Sequence, residues 1–230
     1  MTDSAGGTIP LFIEGRIDFV VRLLGREHFD TAVDLGSRSN SVLPLTRATR
    51  RICVDLHDFS AQSADAHDAV ECVQHDLEMP LPFSDRSHAL ILCMDVIEHV
   101  EKKQQLCREI LRISRGTIVL SLPNTQNISY VLGLFRGCMS KQYRFNVPDG
   151  TDRHKWVPVY SDSQAFIQAA FKGCAVQSFD LYSPGLVSSV MKLLDPCLPG
   201  VLRRWARRLF VRNQVWLIKW MLTESGNGSS

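Results

Sequence analysis

Three short apolar runs in the first third of the chain close on a carboxylate. They are Thr31-Ala32-Val33-Asp34, Arg51-Ile52-Cys53-Val54-Asp55 and the run from Glu71 to Leu77 that contains Asp76. An acid at the end of a parallel strand stands at the edge where open α/β sheets bind their ligands. A carboxylate after the second strand suits a bidentate hydrogen bond to ribose hydroxyls. One after the third suits an exocyclic adenine amine, and one beside the first turn suits a ligand ammonium. A single strand-end acid is as well explained by solvation or by capping of the next helix; three beside one turn point to a ligand. Gly36 opens that turn, Gly36-Ser37-Arg38-Ser39-Asn40, and lets backbone approach a ligand there. A dinucleotide loop would carry glycines at 38 and 41, where Arg38 and Ser41 stand, which argues against a nicotinamide cofactor.

Two histidines are candidates for proton transfer. His99 follows a nearly continuous apolar run and opens a helix-forming segment; His154 lies within Asp152-Arg153-His154-Lys155-Trp156. For each, the alternative is a structural hydrogen bond. His57-Asp58, His67-Asp68 and His75-Asp76 recur at intervals unlike any compact ligand set, so no metal site is expected. Seven scattered cysteines without a C-x-x-C pair read as thiols of a reducing compartment.

The elements that must position these groups alternate. A helix is expected over 9–28, with Phe12, Ile17, Val20, Val21 and Leu24 on one face, then a strand at Thr31–Leu35 and a helix near Ser41–Arg50. Strands follow at Arg51–Asp55 and Glu71–Leu77, separated by a polar, Ala-rich helix at Asp58–Ala69. His88–Val96 reads as a central strand, Glu98–Ser114 as a helix and Thr117–Leu122 as a fifth strand. This alternation predicts a doubly wound α/β sheet in a single domain. Residues 138–160 read as a substrate loop. Ser161-Asp162-Ser163 caps a helix over Gln164–Lys172, and Ala175–Tyr182 is a sixth strand. A helical insertion over 183–212 precedes a final strand near 213–222.

The pattern Val33-Asp34-Leu35-Gly36, Cys53-Val54-Asp55, Gln74-His75-Asp76-Leu77, Leu92-Cys93-Met94-Asp95-Val96-Ile97-Glu98-His99-Val100 and Leu120-Ser121-Leu122-Pro123-Asn124 resembles the class I S-adenosylmethionine-dependent methyltransferases over roughly 29 to 182. The Val-Ile-Glu-His-Val element is its most specific part. The resemblance implies a Rossmann-like, seven-stranded, mostly parallel sheet with an antiparallel last strand, and a cofactor-binding core over 29–137. It implies S-adenosylmethionine as cofactor. Asp34, Gly36, Ser37 and Arg38 would lie against its methionine part, Asp55 and Leu56 at the ribose, Asp76 and Leu77 at the adenine, and Met94 and Asp95 at the floor. His154 resembles a histidine of small bacterial members of this group. The first turn departs from the family in having no glycine after Gly36, although Asn40 tolerates a left-handed backbone.

Composition limits the partners. A net charge of +2 over 230 residues gives no general affinity for nucleic acid, and the Asn-Pro-Pro-aromatic element of amino-group methylating relatives is absent. Val201-Leu202-Arg203-Arg204-Trp205-Ala206-Arg207-Arg208-Leu209-Phe210 is a basic amphipathic helix. It is suited to a membrane surface, a core-packing role or a homodimer interface. The expected function is O-methylation of a small-molecule or lipid-linked saccharide acceptor, in the cytoplasm and peripherally on the inner face of the membrane. The alternative is a catalytically degenerate relative that docks to a membrane or partner through 198–212. Met1–Thr8 has neither the basic start nor the apolar core of a signal peptide, and no run is long enough to span a membrane.

Overall fold

The computed structural model describes residues 9–11, 15–36, 41–57, 70–138, 154–182, 190–191 and 194–221. The run His88-Ala-Leu-Ile-Leu-Cys-Met, apolar on both faces, forms strand β5 (His88–Met94) in the interior of the sheet, with Leu90, Ile91, Leu92 and Cys93 fully buried. Around it lie β1 (Ile9–Leu11), β2 (His28–Leu35), β3 (Arg47–Asp55), β4 (Val70–Gln74), β6 (Ser114–Pro123), β7 (Cys174–Tyr182) and β8 (Val211–Trp220). Among the described residues these make one sheet of eight strands, ordered β1-β7-β8-β6-β5-β2-β3-β4. β2 to β6 pair in parallel, and β8 runs antiparallel between β6 and β7. The seven-stranded sheet with an antiparallel last strand is therefore present. An eighth, short strand, β1, lies parallel to β7 at the edge, where a helix from residue 9 was expected.

Helices cover both faces. On one side α1 (Arg16–Leu24) packs Phe19, Val20 and Leu24 against Phe29, Leu90, Val119 and Phe179. On the other, α2 (Lys103–Ile113) and α4 (Tyr160–Ala170) bury Leu106, Ile110, Ile113 and Ile167 against Ile91, Ile118 and Trp216. Each fully buried aliphatic side chain contributes roughly 1.5–3 kcal/mol, so the sheet's two faces, more than any helix propensity, hold these segments in place. A third cluster joins Tyr160, Tyr182, Met191 and Val211 to Ala206 of α5 (Gly200–Phe210).

Several expected elements change length or kind. The helix expected near Ser41–Arg50 shrinks to one 3-10 turn, Leu43–Leu45, and β3 starts at Arg47. Pro44 lacks an amide hydrogen, and the Thr46 hydroxyl donates to the Leu43 carbonyl at 2.7 Å, closing the turn locally; Arg47-Ala48-Thr49-Arg50 then alternates as a strand does. The helix expected over Glu98–Ser114 splits into a 3-10 turn, Ile97–His99, and α2. Val100 is extended between them, and the Glu78 carboxylate accepts the Glu101 and Lys102 amides at 2.6 and 2.9 Å, capping α2 from outside. α4 begins at Tyr160, a turn before the expected start at Gln164, so Ser161, Asp162 and Ser163 lie within the helix rather than capping it. An unforeseen helix, α3 (Ile128–Phe135), starts at Asn127, whose side-chain oxygen accepts the Ser129 amide. The expected helix at Asp58–Ala69 and most of the expected substrate loop lie outside the described residues, as do Ser183 to Ser189.

Candidate active site

The strand-end acids stand at the carboxyl edge of the sheet, in two kinds of setting. Asp34 and Asp55 are buried residues at the ends of β2 and β3. Asp55 faces Gln74 across the β3–β4 ladder, so Asp76 lies two residues beyond β4 and out of register with the other two. It is exposed and accepts the Glu78 amide at 2.9 Å within its own turn. Leu56 is exposed beside Asp55, and Leu77 packs against the core. The Asp55 carboxylate accepts the His57 amide at 3.1 Å.

Asp34 is the more constrained of the buried pair. One carboxylate oxygen accepts the Ser41 hydroxyl at 2.8 Å; the other is sealed from solvent with no partner among the described residues. Burial pushes its pKa up to about 7, against the hydrogen bonds from Ser41 and the Val42 amide and the attraction of Arg16. Gly36, at φ +69°, donates its amide to the Val54 carbonyl at 2.7 Å. A Cβ there would lie 2.8 Å from Val96 Cγ2, so this approach of backbone to side chain requires glycine. Ser37 and Arg38, the other expected members of this turn, lie outside the described residues.

Past β5, half-buried Met94 leads to Asp95, whose φ of +55° turns the backbone sharply at the carboxyl edge of the sheet. Its carboxylate accepts the Ser121 hydroxyl at 2.7 Å and the Asn213 amide at 3.3 Å, and it pairs with Arg16 at the start of α1. Burial lowers the proton affinity of Arg16, the Glu98 and Asp34 carboxylates oppose this, and Arg212 adds to the lowering. Arg16, Glu98, Ser41 and Asn213 join the site without having been singled out. Glu98 was visible within Val-Ile-Glu-His-Val, whereas Arg16 carries no sequence signal, because only the packing of α1 brings it across. Among the described residues, Asp34, Asp55, Asp95 and Glu98 outnumber Arg16 and Arg212 at this edge.

The structure brings the two expected proton carriers together. The rings of His99 and His154 meet edge to face, with centroids 4.5 Å apart at 80°. His99 closes the 3-10 turn after the floor, its amide on the Val96 carbonyl at 2.8 Å. His154 is held there by its neighbours. The Lys155 and Trp156 amides donate to the Glu98 carbonyl at 2.8 and 3.1 Å, and the Trp156 indole donates to the Val100 carbonyl at 2.8 Å. Lys155 pairs with Glu78 at 2.7 Å, and Lys103 Nζ lies 3.5 Å from the centroid of the Trp156 ring. Glu98, His99 and His154 place one ligating atom each within 4.8 Å of one another, a grouping the sequence reading did not make.

This strand order, with its antiparallel insertion, is the fold of the class I S-adenosylmethionine-dependent methyltransferases. Residues 33–120 match the family model of a methyltransferase domain. Solved structures similar to the chain include the YcgJ protein from Bacillus subtilis, at 16% identity and a TM-score of 0.58 over 89% of this chain and 97% of that one. A SAM-dependent methyltransferase from Archaeoglobus fulgidus aligns at 13% identity and a TM-score of 0.57, over 89% and 95% of the two chains. The small RNA methyltransferase HEN1 aligns at 16% identity and a TM-score of 0.61, over 90% of this chain and 25% of its own. These likenesses establish the fold. Among curated proteins no sequence matches the chain.

Proposed function

We propose that the chain is an S-adenosylmethionine-dependent O-methyltransferase acting on a small-molecule or lipid-linked saccharide acceptor. The observation that carries this reading is the His99–His154 pair, clamped one turn beyond the Met94-Asp95 floor at the carboxyl edge. The bound cofactor supplies an electrophilic methyl group on a sulfonium. The chain's residues bind and orient: Asp34 takes the ammonium, Asp55 and Leu56 meet the ribose, and Asp76 and Leu77 border the adenine. Ser37 and Arg38 complete the turn after Gly36. An imidazole of the histidine pair accepts the proton of an acceptor hydroxyl, the one chemical service that methyl transfer to oxygen asks of the protein beyond alignment.

The acceptor's amphiphilic character is supported by α5. Val201, Leu202 and Trp205 are exposed on one face together with Arg204 and Arg208. Trp beside arginines is the composition of a helix lying on an anionic membrane surface, here the cytoplasmic leaflet. No helix among the described residues is long and apolar enough to cross a membrane.

The test is calorimetric titration with S-adenosylmethionine and with NAD, followed by transfer of labelled methyl to amphiphilic saccharides. Micromolar binding of the former alone and labelled product are expected, with His154→Ala lowering turnover while cofactor affinity holds. Binding of neither ligand would leave a docking module built on a methyltransferase fold.

A further inference from the structure

We infer that Glu98, His99 and His154 form a site for a divalent first-row transition cation beside the floor of the cofactor edge. One carboxylate and two imidazoles are the donor set of N/O sites that hold Zn²⁺, Co²⁺ or Mn²⁺ and leave positions open for a water or a substrate oxygen. Ligands on one cation at about 2.1 Å stand roughly 3–4 Å apart. The three ligating atoms already lie within 4.8 Å of one another, so a small rotation of one ring closes the set.

Two further observations support the assignment. Glu98 is 1% exposed, so its carboxylate faces the protein interior beside the two imidazoles. The two halves of the site, the turn after β5 and residues 154–156, are joined by two backbone hydrogen bonds, an indole hydrogen bond and the Lys155–Glu78 pair. That clamp holds His154 against His99 across 55 residues of sequence, the preorganisation a ligand set needs. Arg16, whose charge acts on Glu98, is paired with Asp95.

The inference deepens the transferase reading and rests on it only for its chemical consequence. With both imidazoles on the cation, the cation would replace the histidine pair as the group that activates the acceptor: the hydroxyl would take an open position, its acidity would be raised there, and its proton would leave to solvent.

The test is binding of Co²⁺ to the purified, chelator-treated full chain, followed by its visible absorption and by calorimetry, with Zn²⁺ as competitor. One equivalent should bind with a d–d spectrum of low coordination number. His154→Ala, at a half-buried position, should weaken binding roughly 100-fold or more, and Glu98→Gln likewise. Failure of the parent chain to bind Co²⁺ or Zn²⁺ below millimolar concentration, or unchanged affinity in both His154→Ala and His99→Ala, would overturn the site. S-adenosylmethionine titration of the same samples separates the two readings. Cofactor binding without cation binding defeats the cation site alone; cation binding without cofactor binding defeats the transferase reading alone.

Discussion

Asp55 and Asp34 end adjacent strands, yet their surroundings give them different sensitivities. Asp55→Ala removes the carboxylate proposed to meet the ribose and should weaken S-adenosylmethionine binding roughly 10- to 100-fold, the equivalent of about 1.5–3 kcal/mol for charge-assisted hydrogen bonds, read by calorimetry. Asp34 reports on pH. Its folded pKa, raised by burial to about 7, lies above the ordinary carboxylate value. Between about 4 and 7 the folded chain therefore binds a proton that the unfolded chain does not. This group's stabilising contribution is full below that window and is lost as pH rises through it. Asp34→Asn should flatten the fall in unfolding free energy between pH 5 and pH 7.5, read by chemical denaturation, by an amount on the order of 2 kcal/mol. A wild-type slope unchanged by the substitution would assign the effect elsewhere. Gly36→Ala forces a Cβ toward Val96 at positive φ and should cost about 1–3 kcal/mol in thermal unfolding. The strand-end acids and both histidines could be read from sequence because each sits in a local pattern of an apolar run followed by a polar residue. Contact between His99 and His154 could not, since no spacing encodes a clamp made of backbone amides 55 residues away.

Among the elements, α5 forms as its amphipathic pattern predicts, with an inward side that the pattern does not mark. The alternating basic and apolar pairs do form a helix, but its inward residues are Ala206 and Arg207, and Leu209 and Phe210 are only half-buried. Arg207 reaches Asp195 at 3.1 Å and approaches Asp180, which also accepts the Tyr160 hydroxyl at 2.7 Å. Burial pushes Asp180 up to about 7. An arginine amid three others on one helix gives no sign that it is turned toward an acid; the acids that hold it lie on other elements. Arg207→Met should destabilise the fold by about 3–5 kcal/mol in chemical denaturation, because Asp195 and Asp180 are left without their cation. Arg204→Gln, on the exposed face, should change stability by less than about 0.5 kcal/mol. The lost helix after β2 is a comparable case. Helix-compatible residues between Ser41 and Arg50 were overridden by Pro44, by the Thr46 hydroxyl and by pairing with β2.

For the whole molecule, the exposed face of α5 predicts behaviour at a surface. Sedimentation with vesicles rich in anionic lipid should pull down the parent protein, and replacing Arg204 and Arg208 by Gln should reduce the bound fraction several-fold at physiological salt, at about 1 kcal/mol per arginine. Equal binding to neutral vesicles would point to the apolar residues alone. The doubly wound architecture was legible because parallel strands buried on both faces must read as apolar runs, whereas the edge strand β1, three residues long, leaves no such trace. The position of β8 has a consequence for how the chain is made. Among the described strands, β7 and β1 reach the rest of the sheet only through β8, which follows them all in sequence. While the ribosome still holds residues 211–220, β2 to β6 can assemble but β6 presents a bare edge and β7 has no strand to join. Completion of the sheet thus waits until β8 is free to pair, and a nascent chain stalled before that point exposes the edges most open to aggregation and to chaperones.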